Sequence, residues 1–118
     1  MITVNVKAET LKEGIMNMTN AMVEDYTKNF GASSNDEIKE KMCKEYATGF
    51  EIRTMKKFIK VINGNGVKAF IVMKDFGRFK MGDILKPAGW RAPALNQARG
   101  NVLEGNYAIQ WTGPLYLK

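Results

Sequence analysis

The stretch that decides the fold reads Lys56-Lys57-Phe58-Ile59-Lys60-Val61-Ile62-Asn63-Gly64-Asn65-Gly66-Val67-Lys68-Ala69-Phe70-Ile71-Val72-Met73. Its first half combines β-branched and aromatic side chains with a basic face, which is typical of a strand. The central Asn-Gly-Asn-Gly predicts a hairpin turn, because these residues tolerate positive φ. Side chains then alternate with a period of two, so we predict a returning antiparallel strand.

The chain before this hairpin has helical signals. Thr10 and Glu13 form a capping-box pair that predicts the start of a first helix. Gly31 is expected to end this helix, and residues 33–37 to start a second one that closes at Gly49. An apolar stripe runs along the first helix at steps of three and four residues, formed by Leu11, Ile15, Met18, Met22 and Tyr26. We expect this stripe to pack in the core, with a subunit interface as the alternative.

The chain after the hairpin, and the N-terminus, add further short strands. They are predicted at residues 3–6, 79–85, 107–111 and 115–117, between Gly-rich turns. The order of helices first and strands later is the α+β pattern. We therefore predict an α+β fold with two N-terminal helices followed by a small, strongly bent antiparallel sheet or barrel of five to six strands.

Size and composition predict a single domain over residues 1–118, with a mainly helical part (1–50) and a mainly β part (51–118). No apolar run approaches the roughly twenty residues that cross a bilayer, and the N-terminus has no signal-peptide pattern. The single cysteine, Cys43, excludes an internal disulfide. The chain has no histidine, so it lacks the usual general base and nitrogen ligand for metals. We therefore expect a binding protein without cofactor or metal, and not an enzyme.

The charge is unevenly distributed along the chain. Residues 1–50 contain six Lys and eight acidic residues, whereas residues 51–118 contain twelve Lys and Arg and four acidic residues. The second part should therefore attract an anionic partner. That partner could be a nucleic acid, a nucleotide or an acidic protein surface.

The residues after the third predicted strand are the candidate binding site. About fifteen residues without periodicity follow, and so long a loop in a compact domain is usually functional; we place a ligand-binding loop at 86–106. Arginine suits phosphate, Asn suits a base edge or ribose, and aromatic rings stack on purines. The alternatives are surface charge, local loop closure and core packing. The candidate ligand-binding residues are Arg99, Asn96, Asn101, Phe79, Arg53, Arg91 and Trp90.

The same region carries a resemblance to a known family. The pattern reads Phe79-Lys80-x-Gly82-Asp83-Ile84-Leu85-Lys86, then Pro87-Ala88-x-Trp90-x-Ala92-Pro93-Ala94-x-Asn96-x-Ala98-Arg99-Gly100-Asn101, with a later Trp111-Thr112-Gly113. It resembles small bacteriophage proteins of the first-described anti-Thoeris sponge family. The specific match is confined to roughly residues 76–113.

The resemblance implies a protein that sequesters cyclic ADP-ribose isomers, made by host TIR-domain proteins, without cleaving them. It also implies a separate site for cyclic trinucleotides, a homo-oligomer built from dimers, and action in the host bacterial cytoplasm during phage infection. By position, Phe79, Asn96, Arg99 and Asn101 would contact the ligand, with Arg53 as a further contact.

Two other functions fit the charge distribution. One is a small nucleic-acid-binding protein that uses residues 56–60 and 68–74, with Phe58 or Phe70 stacking on bases. The other is a phage inhibitor that binds a host protein through the same surface.

Overall fold

The computed structural model describes residues 1–30 and 36–114, which form two helices and seven strands. A three-stranded antiparallel sheet has the order β1-β6-β7, and a four-stranded antiparallel sheet has the order β2-β3-β4-β5. The elements in chain order are β1 (Ile2–Val4), α1 (Leu11–Phe30), α2 (Asp36–Thr48), β2 (Phe50–Thr54), β3 (Phe58–Asn63), β4 (Gly66–Val72), β5 (Ile84–Leu85), β6 (Tyr107–Gln110) and β7 (Gly113–Pro114).

The predicted fold class was wrong in the number of sheets and in the order of helices and strands along the chain. Within the described residues there are two separate sheets rather than one bent sheet of five to six strands, and neither closes into a barrel. Strand β1 precedes both helices and pairs with β6, as in the register Val4↔Tyr107. This pairing joins the two ends of the chain, so no local pattern indicates it. Strand β2 was not predicted, although Phe50 and Ile52 alternate there with charged residues.

The hairpin predicted around Asn63-Gly64-Asn65-Gly66 is confirmed. Strands β3 and β4 pair antiparallel and close at Asn63↔Gly66, and Gly64 has a φ of 60°. The next predicted strand, over 79–85, is shortened to β5. Phe76 and Phe79 exchange backbone hydrogen bonds of 3.0 and 2.9 Å, which makes a tight turn before β5 begins.

The N-terminal cap of α1 is confirmed in part. The Oγ1 of Thr10 accepts a hydrogen bond from the Glu13 amide at 3.1 Å. The Glu13 carboxylate accepts from the Glu9 amide at 3.4 Å, one residue earlier than a standard capping box. The predicted helix end at Gly31, the start signal at 33–35 and the predicted strand at 115–117 lie outside the described residues.

The larger core lies between α1 and the two sheets. Met18 and Met22 of α1 are fully buried, together with Ile15, which confirms the predicted core stripe. They pack against one face of the four-stranded sheet, which we call the helix face and which carries Ile59, Val61, Ala69, Ile71 and Ile84. Buried residues of the other sheet, such as Ile109, join the same cluster.

A second core covers the opposite face of the four-stranded sheet, which we call the loop face. It contains Phe70, Val72 and Leu85 from the strands. Phe79, from the turn before β5, and Ala98, from the irregular chain after β5, pack on them. The sheet is thus buried by a helix on one face and by irregular chain on the other.

Candidate functional site

The long segment, residues 86–101, is irregular but tied to the sheet. The Ile84 amide donates to the Gly100 carbonyl at 2.9 Å, so the returning chain runs beside β5. The Ala94 amide donates to the Lys86 carbonyl at 2.8 Å, which closes the excursion that carries Trp90 and Arg91. A short ladder therefore holds the base of the segment.

A cleft of about 520 Å³ opens beside the base of the long segment. Its lining consists of Arg78, Phe79, Asp83, Asn96, Gln97 and Ala98. Arg99 borders it, because its Nη1 donates to the Oδ1 of Asn96 at 3.2 Å. The structure thus brings together three of the predicted residues, Phe79, Asn96 and Arg99.

The Arg99 guanidinium is only partly satisfied by hydrogen bonds within the protein. Its Nη1 also donates to the Gln97 carbonyl at 2.8 Å, but its Nε is buried without a hydrogen-bond partner among the described residues. A buried donor without a partner is costly. Burial and, second, the nearby Arg99 charge hold the pKa of Lys86 below its usual value. The Arg99 guanidinium itself gives the border of the cleft a positive charge, which suits an anion.

Arg78, which the candidate set omits, is the cation in the lining itself. Its guanidinium carbon lies 5.3 Å from the centre of the Phe79 ring, and its Nη2 donates to the Leu95 carbonyl at 3.2 Å. Phe79 is only 7% exposed, so its ring forms the floor of the cleft and offers little surface for stacking. The signal for Arg78 was its rarity as one of four Arg beside fourteen Lys.

The side chain of Asn101 is hydrogen-bonded within the protein on all sides. Its Nδ2 donates to the Met81 carbonyl at 2.9 Å and to the Asp83 carboxylate at 3.0 Å. Its Oδ1 accepts from the amides of Leu103 and Glu104 at 2.8 and 3.1 Å. The protein thus occupies both donors and the acceptor of this side chain, as in the loop-closure alternative, which leaves none of them for a ligand.

The remaining predicted residues form a second group on the loop face. The Lys60 ammonium lies 4.1 Å from the centre of the Trp90 ring, and Trp90 itself is 47% exposed. Burial lowers the pKa of Lys60, with smaller contributions from Arg53 and Arg91. Arg53 also forms an ion pair with Glu51 on the same strand. Arg53, Trp90 and Arg91 thus gather around Lys60 and do not line the 520 Å³ cleft.

The stacking residues of the nucleic-acid alternative are poorly placed. Phe70 is fully buried, and Phe58 packs edge-on against it with ring centroids 6.0 Å apart. Three exposed lysines nevertheless surround a small cleft of about 220 Å³ beside Phe76, namely Lys56, Lys57 and Lys74.

Residues 1–30 and 36–114 show neither a metal-binding cluster nor a membrane-spanning helix. In these ranges no three His, Cys, Asp or Glu side chains cluster so that they could hold a metal ion. Neither of the two helices there combines the length and apolarity that a membrane crossing needs.

The comparisons with known proteins give a family but no activity. A family model described as "Family of unknown function (DUF7717)" matches residues 2–117. No curated protein matches the chain. No solved structure matches it.

Proposed function

We propose that this chain, which belongs to the DUF7717 family of unknown function, binds a small phosphate-bearing nucleotide in the cleft beside its long segment and holds it without cleaving it. The observation that carries the proposal is the cleft of about 520 Å³, with Arg78 in its lining and Arg99 at its border. Its volume lies in the ordinary range for small-molecule sites. Arginine is the side chain best suited to bind a phosphate through paired hydrogen bonds.

The charges around the cleft favour an anion despite one acidic residue in its lining. Asp83 is that residue, and its Oδ2 accepts from the Lys80 amide at 2.9 Å while its Oδ1 accepts from Asn101 at 3.0 Å. Because both carboxylate oxygens are engaged within the loop, Asp83 supports the local backbone. The cations at the cleft are Arg78 in its lining and Arg99 at its border.

The side-chain amides of Asn96 and Gln97 supply the polar recognition that a nucleotide needs. Both side chains are exposed and line the cleft. An amide presents donors and acceptors together, which suits a ribose hydroxyl or a base edge. The Oδ1 of Asn96 already accepts hydrogen bonds from the Nη1 of Arg99 and from the backbone amide of Gln97. We therefore assign the Asn96 Nδ2 to the ligand.

The specific form of the proposal comes from the resemblance to the anti-Thoeris sponges. In this form the ligand is a cyclic ADP-ribose isomer, and the protein sequesters it in the host cytoplasm during phage infection and so blocks TIR-based immunity. A cyclic trinucleotide would take a second site, for which the exposed Trp90 with Arg53 and Arg91 offers an aromatic and cationic surface.

The experiment is a capture-and-release assay with cyclic ADP-ribose isomers generated by a TIR enzyme. Purified protein is incubated with the nucleotides, washed, and heated to denature it, and the released molecules are identified by mass spectrometry. We expect intact nucleotide in stoichiometric amount only after heating. Release of a cleaved product would make the protein an enzyme, and a lack of uptake would refute the cyclic ADP-ribose form.

Matched arginine variants test the site. Arg78→Gln should weaken binding by about tenfold to a hundredfold, because a charge-assisted contact is lost. Arg91→Gln removes the same charge from the second group and should leave affinity for this ligand within about twofold. Equal losses in both variants would indicate general charge attraction, and an unchanged Arg78→Gln would place the ligand elsewhere. Calorimetric titration measures both.

The nucleic-acid alternative rests on the cleft beside Lys56, Lys57 and Lys74. Binding of single-stranded nucleic acid there should fall by ~10³-fold or more between low and moderate salt if several phosphates are contacted. A small nucleotide, whose few phosphates release few counterions, should respond far less. An inhibitor of a host protein would bind neither ligand and would instead co-purify with a defined host partner.

A further inference from the structure

The free edge of strand β2 has a defined set of backbone groups. Within the described residues β2 is an outer strand of its sheet. Hydrogen bonds close the β2–β3 hairpin at both ends, from the Met55 amide to Phe58 at 2.8 Å and from the Gly64 amide to Gly49 at 3.4 Å. Since hydrogen-bonded pairs alternate along an antiparallel ladder, the odd-numbered residues of β2 bond to β3. The N–H and C=O groups of Phe50, Ile52 and Thr54 therefore point outward.

The side chains of β2 differ between its two faces. On the helix face, Ile52 is 46% exposed and borders an apolar groove of about 390 Å³. This groove also includes Phe50, Thr54 and Met16 of α1, of which Met16 is 54% exposed. On the loop face, β2 carries one acidic and one basic side chain, Glu51 and Arg53, both exposed.

We propose that β2 pairs with β2 of a second copy of this chain, antiparallel and centred on Ile52. Ile52 then faces Ile52 of the partner subunit, and Phe50 faces Thr54 of the partner subunit. Together with the symmetric pair, in which Thr54 faces Phe50 of the partner subunit, these are three hydrogen-bonded pairs built from the outward-pointing groups. Glu51 faces Arg53 of the partner subunit in the pairs without backbone bonds, where side chains approach most closely.

The charges on β2 select this register among the neighbouring ones. A shift by two residues in one direction would place Arg53 opposite Arg53 of the partner subunit. The same shift in the other direction would place Glu51 opposite Glu51 of the partner subunit. Like charges directly opposite each other destabilise a sheet, so only the register centred on Ile52 is complementary. The two-fold axis also brings the apolar grooves and both exposed Met16 side chains to one side of the joined sheet.

This inference does not rest on the proposed nucleotide site. The 520 Å³ cleft includes Asp83, at the start of β5, and β5 forms the edge of the sheet opposite to β2. An open strand edge with exposed apolar residues is also a surface that proteins ordinarily protect or pair. A second copy covers both the edge and the groove with one isologous contact.

The first test is the molecular mass of the protein as a function of concentration, by sedimentation equilibrium. We expect a concentration-dependent dimer of the 13.3 kDa chain. Glu51→Arg or Arg53→Glu alone sets like charges against each other twice in each dimer and should weaken association by about tenfold or more. The double variant Glu51→Arg/Arg53→Glu restores complementarity and should restore the dimer. A monomer at all concentrations up to about 1 mM would overturn the proposal.

The second test locates the interface by amide hydrogen exchange. The amides of Glu51 and Arg53 bond to β3 and should be protected in monomer and dimer alike. The amides of Phe50, Ile52 and Thr54 should exchange fast in dilute protein and gain protection as the dimer forms. A dimer without this gain, or double-variant protein that stays monomeric while melting at the wild-type temperature, would place the contact on another surface and refute the β2 pairing.

Discussion

The two faces of the four-stranded sheet are buried by different means. On the helix face, α1 presents a regular apolar stripe, in which Met18 and Met22 are fully buried. On the loop face, the cover is irregular chain with few apolar side chains, such as Phe79 and Ala98. The regular cover leaves an apolar groove of about 390 Å³ beside β2 on its side of the sheet. The irregular cover leaves an open cleft at its base, which fits the general rule that binding surfaces lie on loops held by a rigid scaffold.

The largest expected effect tests whether the loop face carries a core equal to that of the helix face. Phe70 and Met18 are both 0% exposed, one on each face. Phe70→Ala should reduce the free energy of unfolding by about 3–5 kcal/mol, and Met18→Ala by about 2–5 kcal/mol. Urea denaturation measures both. A loss below about 1 kcal/mol for Phe70→Ala would mean that the irregular cover collapses into the space and is not a fixed layer.

An intermediate effect tests how the irregular cover is held. Asn101→Ala removes four hydrogen bonds at the base of the long segment and should cost about 2–3 kcal/mol of unfolding free energy, because buried partners such as the Met81 carbonyl lose their bonds. Asn96→Ala is the matched control, since that side chain is exposed, and should change stability by less than about 1 kcal/mol. Thermal melting distinguishes the two. Equal losses would contradict the anchoring role of Asn101.

The features that the sequence predicted correctly are those with a local period or a local turn. The apolar stripe through Met18 repeats every three to four residues. The turn at Gly64 is enough to pair β3 with β4, because the two strands follow each other directly in the chain. Strands were predicted near both β1 and β6, but their pairing has no such signal, because the two strands lie at opposite ends of the chain. The number of sheets depends on that one long-range pairing, so the predicted single sheet was wrong.

The candidate site was predictable in its segment but not in its grouping. Residue chemistry pointed to residues around the long segment, and Asn96 and Arg99 do lie together at the cleft. Trp90 instead folds over Lys60 of β3. Trp90 is separated from the cleft because the tip of the long segment packs against β3. The backbone contacts that place the tip there follow no sequence pattern. The burial of Asn101 could not be predicted for the same reason.

The smallest expected effect concerns Asp25, a buried carboxylate of α1 that accepts hydrogen bonds from distant parts of the chain. Its role resembles that of the Asn101 amide in the long segment. Asp25 of α1 is 1% exposed and accepts hydrogen bonds from the N-terminal ammonium and, at 2.9 Å, from the Trp111 amide. Burial alone would raise the pKa of Asp25. The two hydrogen bonds and the ammonium charge outweigh burial and hold this pKa below its ordinary value of 3.8.

The consequence is a stability difference with a defined pH dependence. Because the pKa of Asp25 is lower in the folded protein, its contribution is fully present above the unfolded value and is lost as the pH falls through the folded value. Asp25→Asn should cost about 1–2 kcal/mol near neutral pH, and this difference from wild type should shrink below about pH 4. Met18→Ala should show a loss that changes little over the same range, because it removes only apolar packing and no partner of a titratable group. Urea unfolding at a series of pH values measures both losses, and an Asp25→Asn difference that grows in acid would contradict the lowered pKa.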